Sequence, residues 1–174
     1  MSWVLVITET INKSEPGGDN AVMEEIGRKF GVDVVAKGTG GIGSILDPET
    51  IKGFIIRVRK GTPPSKVIAV PDMKGMIDEP GTLRHLRVIF SKVKKDVQKE
   101  YSCDLCCVPL ERDLEDFVES CLPANRKANY TKQIIREGKF TAAKKFASYM
   151  DKDLIKKTSP MLVETIFCRA CPGL

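Results

Sequence analysis

The sequence predicts an α/β protein with an open, mainly parallel sheet flanked by helices and a C-terminal helical extension. Three observations carry this expectation. Short apolar runs alternate with amphipathic stretches in the order βαβαβαβα, the pattern of parallel strands joined by right-handed helical crossovers. The strand pattern then stops, which divides the chain into an α/β domain over 1–121 and a basic helical extension over 122–174 packed on the same domain. Finally, 174 residues with 42% apolar and 29% charged side chains give one domain's length, too hydrophobic for a disordered tail and too polar for a membrane bundle.

Each element has its own signal. Residues 4–8 are a short β-branched apolar run, and residues 19–30 follow with Val22, Ile26 and Phe30 four apart on one helix face. Gly31 ends that helix, and residues 32–36 read as the second strand, leading into the glycine-rich segment Gly38-Thr39-Gly40-Gly41-Ile42-Gly43. Asp47-Pro48-Glu49 opens another helix, with proline at its first position and an acid in its first turn, and Gly61 closes it. Residues 66–70 return to strand character. After the turn at 78–81, Leu83, Leu86, Phe90, Val93 and Val97 recur at three and four residues, as a long amphipathic helix requires. Residues 103–108 form a fourth apolar strand stopped by Pro109, and an acidic helix runs from Glu111 to about Ser120. Short helices fill the remainder.

Charge is unevenly distributed. Residues 121–174 hold 11 basic and 4 acidic side chains, whereas residues 1–120 hold 17 and 19. A basic rim beside an acidic crevice suits a polyanion held by its backbone, with a solvated helix face as the plainer alternative. The apolar start at Trp3 meets Thr8 and Glu9 too soon for a signal peptide or a spanning helix, so the expectation is a cytoplasmic protein without membrane association. Six cysteines are too sparse for a secreted disulfide scaffold. Their spacing Cys103-x-x-Cys106 and Cys168-x-x-Cys171 would allow a structural Zn²⁺ site. Against zinc, strand alternation sends Cys106 and Cys107 to opposite faces, and buried thiols or a disulfide are the competing readings.

In a parallel sheet the loops leaving the carboxyl ends of the strands share one edge, where ligands bind. Glu9 follows the first strand, Asp72 the third, within Val67-Ile68-Ala69-Val70-Pro71-Asp72, and Glu111 the fourth, after Val108-Pro109-Leu110. Hard cations such as Mg²⁺ take one or two such carboxylates, with water and substrate phosphate completing the shell. Glu9 after the first strand, the glycine-bearing middle segment and Asp72 after a later strand resemble the toprim domain of topoisomerases, primases and overcoming-lysogenization-defect nucleases. Residues 108–117, Val-Pro-Leu-Glu-Arg-Asp-Leu-Glu-Asp-Phe, are similar to a proline, paired-glutamate and aromatic segment of small toprim-like relatives of those nucleases, and Lys156-Lys157-Thr158-Ser159-Pro160 is similar to their typical ending.

The resemblance implies a toprim-like fold and Mg²⁺- or Mn²⁺-dependent phosphodiester chemistry, with Glu9 as general acid or base and Asp72 as a metal ligand. The family's second aspartate is replaced by Lys74 in Asp72-Met73-Lys74, a cation that repels Mg²⁺ yet can grip a phosphate. Its usual glycine after the glutamate is Thr10, and the next acid, Asp19, comes only after an insertion over 11–18. Asp78 or Glu111 is then expected as the substitute ligand, or the site binds without cutting. Glu115 shares a helix face with Glu111 and is expected to serve structure.

Other motifs compete. Gly38-x-Gly40-x-x-Gly43 spells a dinucleotide fingerprint, but it follows the second strand and no acid stands about twenty residues on to hold a ribose. A flexible turn is the better reading. His85 is expected at the surface rather than as a catalytic base. Arg84, Lys92 and Lys95 share one side of the long helix, and with Lys74, Lys132 and Lys139 they are candidate contacts to DNA or RNA. The leading expectation is therefore a nuclease-like, divalent-metal-dependent phosphoryl transfer or hydrolysis on nucleic acid. Its alternatives are a non-catalytic nucleic-acid- or nucleotide-binding protein with a degenerate metal site, or an interaction subunit that uses only the scaffold.

Overall fold

The computed structural model describes residues 2–10, 18–73, 81–167 and 171. Strands β1 (Val4–Thr8), β2 (Val34–Gly38), β3 (Lys66–Ala69) and β4 (Asp104–Cys107) form one parallel sheet in the order β2-β1-β3-β4. The intervening helices are α1 (Gly18–Phe30), α2 (Ile42–Ile45), α3 (Pro48–Arg57) and α4 (Thr82–Gln98). After β4 come α5 (Leu114–Cys121), α6 (Ala124–Glu137), α7 (Lys139–Phe146), α8 (Lys152–Thr158) and α9 (Pro160–Phe167), with a 3-10 turn at Ala147–Tyr149. The expected α/β class and helical C-terminal region are present. Among the described residues, no helix is long and apolar enough to cross a membrane.

The period of two along each strand builds two cores. Val4, Val6, Ile68 and Cys106 face α1 and the C-terminal helices, while Leu5, Ile7, Val67, Ala69, Leu105 and Cys107 face α3 and α4. The apolar seam expected on the long helix lands there, with Leu86, Phe90, Val93 and Val97 buried. On the other side Tyr130, Ala142, Phe146, Ile155 and Leu162 share one cluster with Val22, Met23 and Ile26 of α1. The extension thus completes a core that α1 alone would leave open. Gly27 permits the close approach of α1 to β2, because a Cβ there would stand 2.5 Å from Val34 Cγ2.

Boundaries differ from expectation for local reasons. The second strand begins two residues later than predicted, because Val32 N–H is consumed by the α1 carbonyl of Gly27 at 2.9 Å, and it runs on to Gly38 by pairing with Thr8. The acidic helix begins at Leu114, not Glu111, because Asp113 caps it by accepting a hydrogen bond from Asp116 N–H at 3.0 Å. Gly38-x-Gly40-x-x-Gly43 opens only the four-residue α2, so it lacks the long helix that a pyrophosphate site needs.

The described cysteines take the competing forms, a disulfide and buried thiols. Cys106 forms a disulfide with Cys171, with Cα atoms 5.3 Å apart, while Cys103 lies in the opposite core. Two of the four candidate sulfurs bond each other, a third faces away across the sheet, and Cys168 lies outside the described residues. Cys103, Cys107 and Cys121 are buried free thiols. Burial pushes Cys107 up to about 12 and Cys121 up to about 11, which leaves both protonated and unreactive at neutral pH.

Candidate functional site at the carboxyl ends of β1 and β3

The strand order places a reversal at β1: the chain moves from β1 outward to β2, then crosses back to β3 on the other side. Crossovers diverge there, and the crevice of a doubly wound sheet opens between the two strand ends. Glu9 leaves β1 and Asp72 leaves β3 at this point. Glu9 Oε1 accepts a hydrogen bond from Asp72 N–H at 3.0 Å, so two acids 63 residues apart in sequence are joined side by side.

Each wall of the crevice is held by backbone. Beyond β3, Asp72 pairs with Leu110 in an isolated parallel bridge, where Leu110 N–H donates to Pro71 O at 2.9 Å and Met73 N–H donates to Leu110 O at 3.0 Å. On the β1 side, Thr39 N–H donates to Thr8 O and Gly40 N–H to Thr10 O, both at 3.0 Å. Gly38 makes that clamp possible, since a Cβ there would stand 2.6 Å from the Thr10 carbonyl. The Thr8 hydroxyl ties the same loop to α1 through Asn20 Oδ1 at 2.8 Å. The glycine segment therefore holds Glu9 in place rather than a dinucleotide.

Four carboxylates, Glu9, Asp19, Asp72 and Glu115, line one cavity of about 100 Å³, with Phe140 at its edge. All four are half-buried. Burial raises the Glu9 pKa above its ordinary value, opposed by the Asp72 amide and reinforced by the negative charges of Asp72 and Asp19. Asp19 is raised by burial and by Asp72. The buried Thr10 hydroxyl makes no hydrogen bond of proper geometry, yet lies near enough to Asp19 to offset part of that rise. Glu115 is raised by burial and by Asp113 and Asp19, with Lys139 pulling the other way. Negative charge is thus crowded into a space that resists it. Among the described residues, no group of three or more His, Cys, Asp or Glu side chains is close enough to hold a metal ion by itself.

The predicted residues divide sharply. Glu9 and Asp72 come together. Glu111 does not join them: it lies in the exposed turn ahead of the Asp113 cap and lines neighbouring clefts with Arg112. Lys74 and Asp78 lie outside the described residues. Lys139 stands at the rim of the site, its ammonium 3.8 Å from Asp113. Arg84, Lys92 and Lys95 are on α4, beneath the opposite face of the sheet, and Lys132 is exposed on α6. Among the described residues, the predicted cations are thus divided between α4 on one side of the sheet and the C-terminal helices on the other. His85 is exposed, as expected.

Asp19 and Glu115 line the cavity although the sequence reading placed neither in the site, giving Glu115 a structural role and Asp19 none. Their signal was topological. In a parallel sheet the helix after each strand starts at the sheet's carboxyl edge, so the first turns of α1 and α5 must deliver Asp19 and Glu115 there. A larger cavity, about 510 Å³, sits at the other edge beside Val4, Lys66 and Asp104, the first residues of three strands. Its buried Lys66 ammonium donates to Thr165 O at 2.5 Å, so that cation braces α9 against the sheet. Comparison with family models, curated proteins and solved structures finds no match to this chain.

Proposed function

We propose that the protein carries out nuclease-like phosphodiester hydrolysis or phosphoryl transfer on nucleic acid, dependent on Mg²⁺ or Mn²⁺, and that its kinship is with toprim-like proteins of the cytoplasm. The observation that carries this reading is the Glu9–Asp72 pair at the reversal point of the sheet, inside a cavity lined by four half-buried carboxylates. The donor set fits a hard cation, which needs only one or two protein carboxylates when water and a substrate phosphate supply the rest. When bound, such an ion would neutralise phosphate charge at the reacting centre.

The chain's own residues supply the remaining functions. Glu9, with its raised pKa, is the proton carrier, because a carboxyl that holds its proton more tightly is a better general acid and, once ionised, a stronger base. Asp72 and Asp19 provide negative oxygen donors, and Lys139 at the rim offers its charge to a phosphate. A second reading, binding without turnover, is favoured by the lack of three close metal-ligating side chains among the described residues and by Lys74 in place of a second aspartate.

Incubating end-labelled DNA and RNA with the protein and Mg²⁺ or Mn²⁺ separates the two. The nuclease reading expects metal-dependent cleavage that Glu9→Gln or Asp72→Asn lowers by about 10²–10⁴-fold with circular dichroism unchanged. Cleavage indifferent to both substitutions contradicts it, and salt-sensitive binding without cleavage supports the second reading.

A further inference from the structure

The turn between β4 and α5 carries Arg112, and the helices of the extension bring Lys127 of α6 and Lys157 of α8 to the same place. Together with Ser120 and Thr158 these cations line an open cleft of about 420 Å³, and the one acid on its walls is Glu111. Among the described residues, none of the three cations is held by a carboxylate, whereas Arg28, Arg59 and Lys145 are held by Glu25, Asp33 and Glu137. Arg112 Nη1 donates to Ser120 Oγ at 3.0 Å, which anchors one of the five N–H donors of this exposed side chain on the cleft wall.

The cleft has a defined relation to the carboxylates. An adjoining cavity of about 200 Å³ beneath Pro109, Phe117 and Pro160 shares Glu111, Arg112 and Thr158 with the cleft, and shares Leu110 with the carboxylate cavity. The three depressions follow one another around the exit of β4, acidic at one end and basic at the other. By contrast Arg84, Lys92 and Lys95 are exposed on α4, which packs under the other side of the sheet, and they line none of these three depressions.

We infer that the cleft of Arg112, Lys127 and Lys157 is the docking site for the phosphodiester backbone of a nucleic acid, whose continuing strand enters the carboxylate cavity. The inference rests on the proposed function for its ligand class and adds which basic surface serves it. Cations without carboxylate partners cost no ion pair when a phosphate arrives, and a concave wall lets several act on one backbone.

The test measures binding of a fluorescein-labelled single-stranded oligonucleotide in EDTA across a salt series, which separates docking from cleavage. Two double variants with the same change in net charge are compared: Lys127→Glu with Lys157→Glu, and Lys92→Glu with Lys95→Glu. All four side chains are exposed, so both proteins should fold. The cleft variant is expected to bind at least about tenfold more weakly and to lose about two from the slope of log K against log salt, while the α4 variant binds like the native protein. Equal losses in both variants, or undiminished binding by the cleft variant, overturn the inference. If the native protein cleaves and the cleft variant shows no rise in KM, the docking site is wrong and the nuclease reading stands. If it binds through the cleft and never cleaves, the reverse holds.

Discussion

Asp19 shows what the site costs the fold. It sits in the first turn of α1, where the helix dipole favours negative charge, yet burial and Asp72 still raise its pKa above 3.8. A carboxyl whose folded-state pKa is raised binds its proton more tightly in the native than in the unfolded chain. Its favourable contribution is therefore complete at low pH and is lost as pH climbs through the raised value. Asp19→Asn should consequently stabilise the protein at neutral pH by about 0.5–2 kcal/mol, with the gain vanishing in acid below the ordinary carboxylate range. Urea denaturation across pH measures this, and a variant less stable than the native protein at neutral pH would show that the carboxylate is paired rather than crowded. Glu9 and Glu115 carry the same sign. At this scale the sequence was legible for Glu9 and Asp72, because Glu9 directly follows β1 and Asp72 lies three residues past β3, still paired beside Leu110. It misled at Glu111, which lies exposed in the two-residue bend, Glu111 and Arg112, ahead of the Asp113 cap.

Elements position these residues through close backbone contacts, and the contact nearest the proposed proton carrier is the clamp between the exits of β1 and β2. Gly38→Ala would push a methyl group against the Thr10 carbonyl and the Thr10 side chain. A cost of about 1–3 kcal/mol is expected for such overpacking, together with a larger fall in activity than in stability, since the displaced loop carries Glu9. Thermal denaturation and metal-dependent turnover, measured on the same preparation, test this; normal activity with normal stability would mean that the clamp does not set the Glu9 position. Element type was readable in the sequence because each strand and helix carries its own hydrophobic period, as on α4. The short α2 was not, since four residues around glycine contain no period to read. The residues brought together by the sheet order were harder still, because pairing of β1 with β3 is a tertiary choice that no local signal states.

Across the whole molecule, the extension joins α1 and α5 in a shared core and is linked to β4 by the Cys106–Cys171 disulfide, which spans 65 residues. Closing so long a loop restricts the unfolded chain. The same extension contributes the edge of the carboxylate cavity through Phe140 and Lys139, and the cleft cations Lys127 and Lys157. The charge asymmetry in the sequence thus has a spatial meaning: the basic extension packs beside the acidic strand ends, with α4 as a separate charged face. Cation binding is where this account meets its most direct trial. Titration of metal-free protein with Mn²⁺, followed by calorimetry, should reveal one saturable site that Asp72→Asn with Asp19→Asn abolishes while the fold persists. Absence of binding, or a site unchanged in that double variant, would contradict the claim that the crevice between β1 and β3 receives a divalent cation.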